Sequence, residues 1–229
     1  MIPAVGFALD VKRSSVVEKQ LLTNTLLDCK EKLNDRYMPS LIVPFDIRKG
    51  DELIGVINQF SDTRELIELV YEIFSAAELH YYLGIGVGFL ENNETSIHTA
   101  NGSAVLNALS ARDEELKNKG DAGKVWQKID NEVFFSSKQI PSSALNSLYL
   151  TILDKKSQWT KKQQDVISFV ERNPDWTFEK IGQELGYKSP KSTVSYLLAR
   201  SQYLRVKTME NSFDELMVFF ETSLKNGGE

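Results

Sequence analysis

The sequence contains little of what disulfide frameworks, metal clusters and membrane spans are built from. Cys29 is the one cysteine in 229 residues, which excludes an internal disulfide bond, and one cysteine with two histidines offers no Cys/His metal cluster. No apolar run is long enough to span a membrane, and no basic leader followed by a sufficiently long apolar segment opens the chain. These features predict a cytoplasmic protein with no membrane among its partners.

Acidic residues outnumber basic ones, but the charge is unevenly distributed. The chain as a whole has a net charge of −5, whereas residues 151–207 contain 11 Lys and Arg against 6 Asp and Glu. That segment therefore has a net charge of +5, which leaves −10 for the remainder. A basic segment on an acidic body is typical of a nucleic-acid contact confined to one end, although a small helical domain can also be basic by chance.

The basic segment has the pattern of a helix-turn-helix. Residues 160–173 and 178–186 place apolar side chains at helical spacing, with Thr177 as the N-cap of the second helix. Ser189 and Pro190 then begin a third helix. Short polar and basic side chains on its N-terminal half are typical of a recognition helix that contacts phosphates and base edges. The predicted DNA-binding residues are Lys188, Ser189, Lys191, Ser192, Thr193, Ser195, Tyr196 and Arg200.

The N-terminal two thirds of the chain alternate between strand and helix patterns. The predicted strands are residues 4–9, 41–47, 53–57, 81–89 and 132–136, and the predicted helices are residues 16–37, 62–77, 101–119 and 141–155. Their order, β-α-β-β-α-β-α, predicts an α+β fold with a ferredoxin-like core, followed by a small all-α helix-turn-helix domain. We place the boundary near Ser157, with domains at 1–157 and 158–229.

Three acidic residues are placed so that they could meet in this core. Asp10 ends the first strand, and Asp51 and Glu52 lie at the tip of the following hairpin. First and third strands are neighbours in a β-α-β-β core, so the carboxylates could converge at one edge, where Mg²⁺ or Mn²⁺ would relieve their repulsion. Alternatively, the acidic pair is ordinary turn chemistry and Asp10 only ends a strand. The side chains that would hold the phosphates of a nucleotide are Lys12, Arg13, Ser14 and Lys49.

Four segments resemble the SatD-like family of bacterial proteins, in which they follow one another in the same order. They are GFALDVKRSS, PFDIRKGDELIGVI, YYLGIGVG and NGSAVLNALSARDEEL, and the resemblance covers residues 1–116. More distantly, this order is similar to the palm-type core of class III nucleotidyl cyclases, GGDEF-type cyclases and CRISPR polymerases. The resemblance implies a palm-type fold and a metal-binding role for Asp10, Asp51 and Glu52.

Two positions differ from the cyclase patterns. Lys49 stands where a GGDEF hairpin has its first glycine. Class III cyclases carry an Asn and an Arg four residues apart on the last helix, whereas Asn107 and Arg112 are five apart here. On an α-helix, that spacing predicts that the two side chains face different directions.

Two functions of different class follow from these patterns. The first is a DNA-binding transcription regulator whose palm-like N-terminal domain senses or binds a nucleotide or metal. The alternative is a metal-dependent nucleotidyl cyclase or transferase acting on a nucleoside triphosphate, for which the sequence assigns no catalytic residue. The predicted partners are DNA, a nucleotide and a second copy of the chain, because one helix-turn-helix usually reads only half of a DNA site.

Overall fold

The computed structural model describes residues 1–91, 96, 101–118 and 132–227. The strands in these ranges are β1 (Ile2–Val11), β2 (Leu41–Arg48), β3 (Glu52–Ile57), β4 (Tyr81–Leu90) and β5 (Glu132–Ser136). They form one sheet in the order β2-β3-β1-β4-β5. The pairs β2–β3, β1–β3 and β1–β4 are antiparallel, and β4–β5 is parallel.

Helices make up most of the rest of the described chain. They are α1 (Lys19–Arg36), α2 (Thr63–Ala76), α3 (Ser103–Ser110), α4 (Ser142–Ser157), α5 (Lys161–Arg172), α6 (Phe178–Glu184), α7 (Pro190–Arg200) and α8 (Tyr203–Asn226). α3 continues directly into a π-helical segment, Ala111–Lys117. None of the described helices has the length and apolar character that crossing a membrane requires.

The chain divides into two compact units. The first, which we call the sheet unit, comprises Met1–Asn146 and Asp214–Glu229. The second, which we call the helical unit, comprises Ser147–Phe213 and contains α5, α6 and α7. The domain boundary near Ser157 stays a prediction.

The structure confirms the α+β prediction and differs from it in detail. α1 begins later than predicted: residues Ser14–Val16 form a short 3₁₀ turn, and α1 starts at Lys19. The reason is local capping, because the Glu18 carboxylate accepts hydrogen bonds from the first backbone N–H groups of the helix. The predicted third helix ends at residue 119, which lies outside the described residues. The ferredoxin-like and helix-turn-helix assignments stay predictions.

Glycines in β4 let α3 lie directly on the sheet. A Cβ atom at Gly86 would be 2.0 Å from the carbonyl oxygen of Ala104, and one at Gly84 would be 2.1 Å from that of Ala108. Only glycine permits such an approach of helix backbone to strand. The pattern GIGVG, which indicated a close backbone approach, therefore fixes where α3 and its π-helical continuation lie.

The opposite face of the sheet is covered by α2. The rings of Phe74 in α2 and Tyr81 in β4 meet edge to face, with their centroids 5.1 Å apart. Because successive strand residues point to opposite faces, Tyr81 and Gly84 lie on different sides of the sheet. The sheet unit thus has helices on both faces, and the charged groups described below lie on the side of α3.

The helical unit is built from capped helices around a small apolar core. Thr160 and Gln163 form a reciprocal capping box at the start of α5, and Thr177 caps α6 as predicted. Gly186 follows α6 with a positive φ of 73°, which favours glycine. The buried core consists of Val166, Ile167, Ile181, Val194 and Leu198.

Candidate functional site

Four polar residues lie side by side across one end of the sheet. Glu52 of β3 pairs in register with Asp10 of β1, Asp10 with Tyr82 of β4, and Tyr82 with Glu132 of β5. Cross-strand partners share a face of the sheet, so all four side chains lie on the α3 side. We call them the sheet-end row. It places two of the three predicted metal-binding carboxylates directly opposite each other.

The π-helical segment after α3 adds cations to the sheet-end row. Lys117 Nζ lies 2.6 Å from Asp10 Oδ2 and 3.6 Å from Asp113 Oδ1. Arg112 donates from Nε and Nη2 to the two carboxylate oxygens of Asp113, each at 2.8 Å, and Nη2 lies 3.5 Å from Glu52 Oε1. Two carboxylates of the sheet therefore have cationic partners that come from one turn of helix.

Asn107 and Arg112 are both buried. Asn107 lies in α3 and donates to the carbonyl of Val87 at 3.0 Å, whereas Arg112 lies in the π-helical segment. Hydrogen bonds in that segment run from i to i+5, as from Asn118 N–H to the carbonyl of Asp113, and the segment begins after Asn107. The expectation that the two side chains face different directions stays a prediction.

Arg112 is the most deeply buried cation of the group. Its side chain is 3 % exposed, and Nη1 has no hydrogen-bond partner within the described part of the chain. Burial alone lowers the pKa of Arg112, but the hydrogen bond to Asp113 and the charges of Asp113 and Glu52 raise it above the usual value. A buried donor without a partner costs free energy, on the order of 1–3 kcal/mol. An acceptor from a ligand would remove that cost.

Asp10 and Asp51 are close enough to influence each other. Burial raises the pKa of Asp10, the negative charge of Asp51 raises it further, and Lys117 opposes both effects. Asp51 Oδ2 accepts a hydrogen bond from Ser14 Oγ at 2.6 Å, and its backbone carbonyl accepts one from Val11 N–H at 3.1 Å. The hairpin tip is thereby tied to the end of β1.

Each of the three predicted metal ligands already contacts a side chain of the protein, Asp10 through Lys117 and Asp51 through Ser14. In the ranges given above, no group of three or more His, Cys, Asp or Glu side chains is close enough to hold a metal ion. Glu52 is engaged by Arg112 and by Lys49, whose Nζ lies 3.1 Å from Glu52 Oε1. Mg²⁺ usually keeps several waters and binds one or two carboxylates together with substrate phosphates. Asp10 and Asp51 influence each other electrostatically, and metal binding by Asp10, Asp51 and Glu52 stays a prediction.

The residues predicted to hold phosphates lie at the same end of the sheet. Lys12 Nζ lies 2.6 Å from Glu132 Oε1 and 4.5 Å from the centre of the Tyr82 ring. Ser14 contacts Asp51, and Lys49 contacts Glu52, as described above. Arg13 is exposed and has a positive φ of 54°.

Sequence reasoning did not assign Lys117, Asp113, Tyr82 or Glu132 to this site. No motif marks them, since they come from segments far apart in the chain. The parallel pairing of β5 with β4 brings Glu132 to the row, and the π-helical turn brings Lys117. Lys117 could have been assigned from the sequence only if the π-helical spacing of residues 111–117 had been recognised there.

The eight predicted DNA-binding residues lie in the helical unit, from Lys188, just before the N-cap of α7, to Arg200, the last residue of that helix. Seven are exposed and Thr193 is half-buried. Ser189 is the N-cap residue as predicted, but its side chain makes no capping hydrogen bond. Instead, Glu179 Oε2 of α6 accepts from the backbone N–H of Lys191 at 3.3 Å. A carboxylate thus sits at the helix end that would face DNA phosphates.

The sequence profile of the SatD family matches residues 5–184. The chain belongs to the SatD family. The matched range includes every residue of the sheet-end row and the π-helical segment, and it ends with the last residue of α6. The eight predicted DNA-binding residues of this SatD-family protein therefore lie outside the matched range.

Two solved structures of cyclases are weakly similar to this SatD-family protein. One is the guanylyl cyclase Cya2, at 14 % identity and a TM-score of 0.33, covering 48 % of this chain and 68 % of that one. The other is the catalytic core of a rhodopsin-guanylyl cyclase with converted specificity in complex with ATPαS. It has 12 % sequence identity and a TM-score of 0.33, and the match covers 49 % of this chain and 72 % of that one. Similarity at this level carries no argument about function. No curated protein matches the sequence significantly.

Proposed function

We propose that this SatD-family protein binds a nucleotide, together with Mg²⁺ or Mn²⁺, at the end of the sheet where β1 meets the β2–β3 hairpin. The observation that carries the proposal is Arg112, a buried guanidinium with an unpartnered Nη1 among the described residues, adjacent to Glu52 and Asp113. Guanidinium groups bind phosphate through paired N–H donors, so a phosphate oxygen is a suitable acceptor for the unused donor.

The surrounding charges favour a phosphate that binds together with a divalent cation. Lys12, Lys49 and Lys117 lie at the same sheet end as Arg112, but each is already matched by a carboxylate. An anion alone would face Asp10 and Asp51 as well as the lysines. A divalent cation bound to these two carboxylates would neutralise them and the phosphate together, which is the chemistry it would supply here.

Binding is proposed independently of turnover. A sensor domain and a nucleotidyl cyclase or transferase would use the same carboxylates and the same cations to hold the ligand. A turnover assay on nucleoside triphosphates, with product analysis, separates these two possibilities once binding is established.

Thermal unfolding with each nucleoside triphosphate, with and without Mg²⁺ or Mn²⁺, tests the proposal. A ligand that binds only the folded protein at about 100 times its Kd adds about 2.7 kcal/mol to the stability. We expect a metal-dependent rise in Tm for the wild type, and loss of that rise in Asp51→Asn. Asp28→Asn, in an exposed pair with Lys32 on α1, is the matched control and should respond as the wild type does.

The proposal is wrong if no nucleotide raises the Tm with either metal. It is also wrong if Asp51→Asn retains the full metal-dependent rise, because the ligand would then be bound elsewhere.

A second candidate function is DNA binding by the helical unit, as in a transcription regulator that acts as a homodimer. The specific observation in its favour is that Lys188, Lys191 and Arg200 are exposed and make no ion pair with any described residue. Lys188 and Lys191 lie at the N-terminal end of α7, whereas Arg200 is its last residue. Exposed basic side chains beside small polar ones at a helix N-terminus are what phosphate and base-edge contacts use.

DNA binding is tested by gel shift at several salt concentrations with two variants of opposite expected effect. Lys188→Glu/Lys191→Glu should weaken binding strongly, because each cation lost removes a phosphate contact. Glu179→Gln should strengthen binding, because it removes a negative charge at the start of α7 while keeping a hydrogen-bond acceptor for Lys191 N–H. Unchanged affinity in the double variant would exclude α7 as the DNA contact.

A further inference from the structure

We infer that Lys117 is a built-in substitute for the divalent cation: its ammonium group neutralises Asp10 in the metal-free protein and must leave Asp10 when the metal binds. The inference rests on the proposed function and concerns the regulation of the same site. Lys117 would make metal binding at Asp10 a competition between two cations rather than the filling of an open site.

The contacts of Lys117 show why it competes. Its Nζ lies 2.6 Å from Asp10 Oδ2, within the range of a charge-assisted hydrogen bond. Asp10 is otherwise deeply buried and faces the negative charge of Asp51. A carboxylate in this position needs a positive partner; Arg112 acts on it electrostatically, and Lys117 contacts it directly.

A second carboxylate is placed to receive Lys117 when it leaves Asp10. Asp113 Oδ1 lies 3.6 Å from Lys117 Nζ, one helical turn back on the same π-helical segment. The lysine side chain is 30 % exposed and has a flexible four-carbon stem, so its ammonium group can move between the two carboxylates with little loss of solvation. Movement of the side chain is therefore the route that we propose for displacement.

Arg112 differs from Lys117 in its solvent exposure and in the freedom of its side chain to move. It is 3 % exposed and held by two parallel hydrogen bonds to Asp113, which fix its guanidinium group in place. Its unpartnered Nη1 is the independent sign that a ligand completes this site. The structure thus combines a fixed cation, Arg112, with a displaceable one, Lys117.

Mn²⁺ binding to the nucleotide-free full-length protein, measured by electron paramagnetic resonance, tests the inference. Lys117→Met removes the competing charge and should tighten Mn²⁺ binding about tenfold, the effect of one adjacent charge that shifts a carboxylate equilibrium by about one pKa unit. Lys117→Arg keeps the charge and should bind Mn²⁺ within about twofold of the wild type. Lys32→Met, from an exposed pair on α1, is the control for loss of a lysine.

Thermal unfolding of the same proteins gives a second readout that a merely structural lysine would not give. Without metal, Lys117→Met should unfold at a lower temperature than the wild type, because Asp10 then lacks its partner. Added Mn²⁺ should raise its Tm more than it raises that of the wild type. A Lys117→Met protein that folds only when Mn²⁺ is present would support the inference equally.

Two results would overturn the inference while leaving the proposed function intact. One is wild-type Mn²⁺ binding that is unchanged or weakened in Lys117→Met. The other is an equal gain in affinity in Lys117→Met and Lys117→Arg, since charge would then not be the cause. If none of the proteins binds Mn²⁺ with or without a nucleotide, the proposed function itself fails, and the inference fails with it.

Discussion

The sheet end of the sheet unit and the start of α7 in the helical unit both concentrate charged residues. The two regions differ in how deeply these residues are buried and in whether they form ion pairs. At the sheet end, Asp10, Glu52 and Arg112 are buried and engaged with groups of opposite charge. Lys188 and Lys191 in the helical unit are exposed and have no ion-pair partner in the described ranges.

This difference bears on how strongly each region indicates a ligand. Burying a charge is costly unless partners satisfy it, so a buried group with a donor left over needs an explanation. Exposed lysines are fully solvated and are common on surfaces that bind nothing. The sheet end is therefore the better candidate for a ligand site than the start of α7.

Replacing Arg112 should have the largest effect on stability. Arg112→Met leaves Glu52 buried without its guanidinium partner, and we expect a loss of about 4 kcal/mol in the free energy of unfolding, as for other broken buried pairs. Urea unfolding followed by circular dichroism measures it. A loss below about 1 kcal/mol would show that the sheet-end charges are no more interdependent than surface charges.

Replacing a glycine should disturb the site without changing any charge. In Gly86→Ala, the new Cβ would lie 2.0 Å from a backbone oxygen of α3, so the helix must move, at a cost of about 3 kcal/mol. The metal-dependent nucleotide response should be lost as well, because α3 carries Arg112 and Lys117 into place.

The comparison variant for this prediction is Gly55→Ala. A Cβ at Gly55 would first meet the ring of Phe45, a side chain rather than a backbone. It should destabilise less and keep the nucleotide response. Retention of the response in Gly86→Ala would mean that the position of α3 does not determine the site.

The helical unit also contains a buried charged residue, Glu210. The contribution of Glu210 to stability should depend on pH. Glu210 is ion-paired with Lys156 and, at 2.8 Å, with Lys207. Burial raises the pKa of Glu210, but the two lysines outweigh burial and hold it below the usual value of 4.5. The stabilisation is thus present above pH 4.5 and is lost as the pH falls through the lowered value in the folded protein.

Glu210→Gln should therefore destabilise the helical unit by about 2 kcal/mol at neutral pH, a figure reduced because both lysines are partly exposed. The difference from the wild type should shrink as the pH falls below 4.5. Tryptophan fluorescence during urea unfolding reports it, since Trp159 and Trp176 lie in this unit. Glu171→Gln, which loses a more exposed contact with Lys207, should change stability by less than about 0.5 kcal/mol.

The smallest stability effect is expected at the start of α7. Lys188→Ala/Lys191→Ala removes two exposed charges and should change the free energy of unfolding by less than about 0.5 kcal/mol. If the helical unit binds DNA, the slope of log affinity against log salt should fall by about 1 for each phosphate-contacting lysine lost. Lys162→Ala, an exposed lysine of α5, should leave the slope unchanged. A slope that is the same in all three proteins would separate α7 from DNA binding.

Local patterns were sufficient to predict most of the elements. Short apolar runs predicted the strands, and caps such as Thr177 and stops such as Gly186 predicted helix ends, because those signals act within a few residues. The start of α1 was misplaced because the Glu18 carboxylate caps the helix after an intervening 3₁₀ turn.

The candidate site was only partly predictable. Asp10, Asp51 and Glu52 were found because each lies at the end of a recognisable strand or at a hairpin tip. Lys117 and Glu132 were not found, since the contacts of Lys117 with Asp10 and of Glu132 with Lys12 join residues more than 100 positions apart in the chain. Tertiary structure decides such contacts, and no local spacing records them.

The amino-acid sequence by itself determined the α+β class, the placing of carboxylates at strand ends and the basic character of residues 151–207. Only the tertiary structure decided which charges meet. Three features bring these charges together: the glycines of β4 that admit α3 to the sheet, the π-helical segment that contains Arg112 and Lys117, and the register that aligns the sheet-end row. The physical reason is that a buried charge takes its partner from whichever segment packing brings within reach, whatever the distance along the chain.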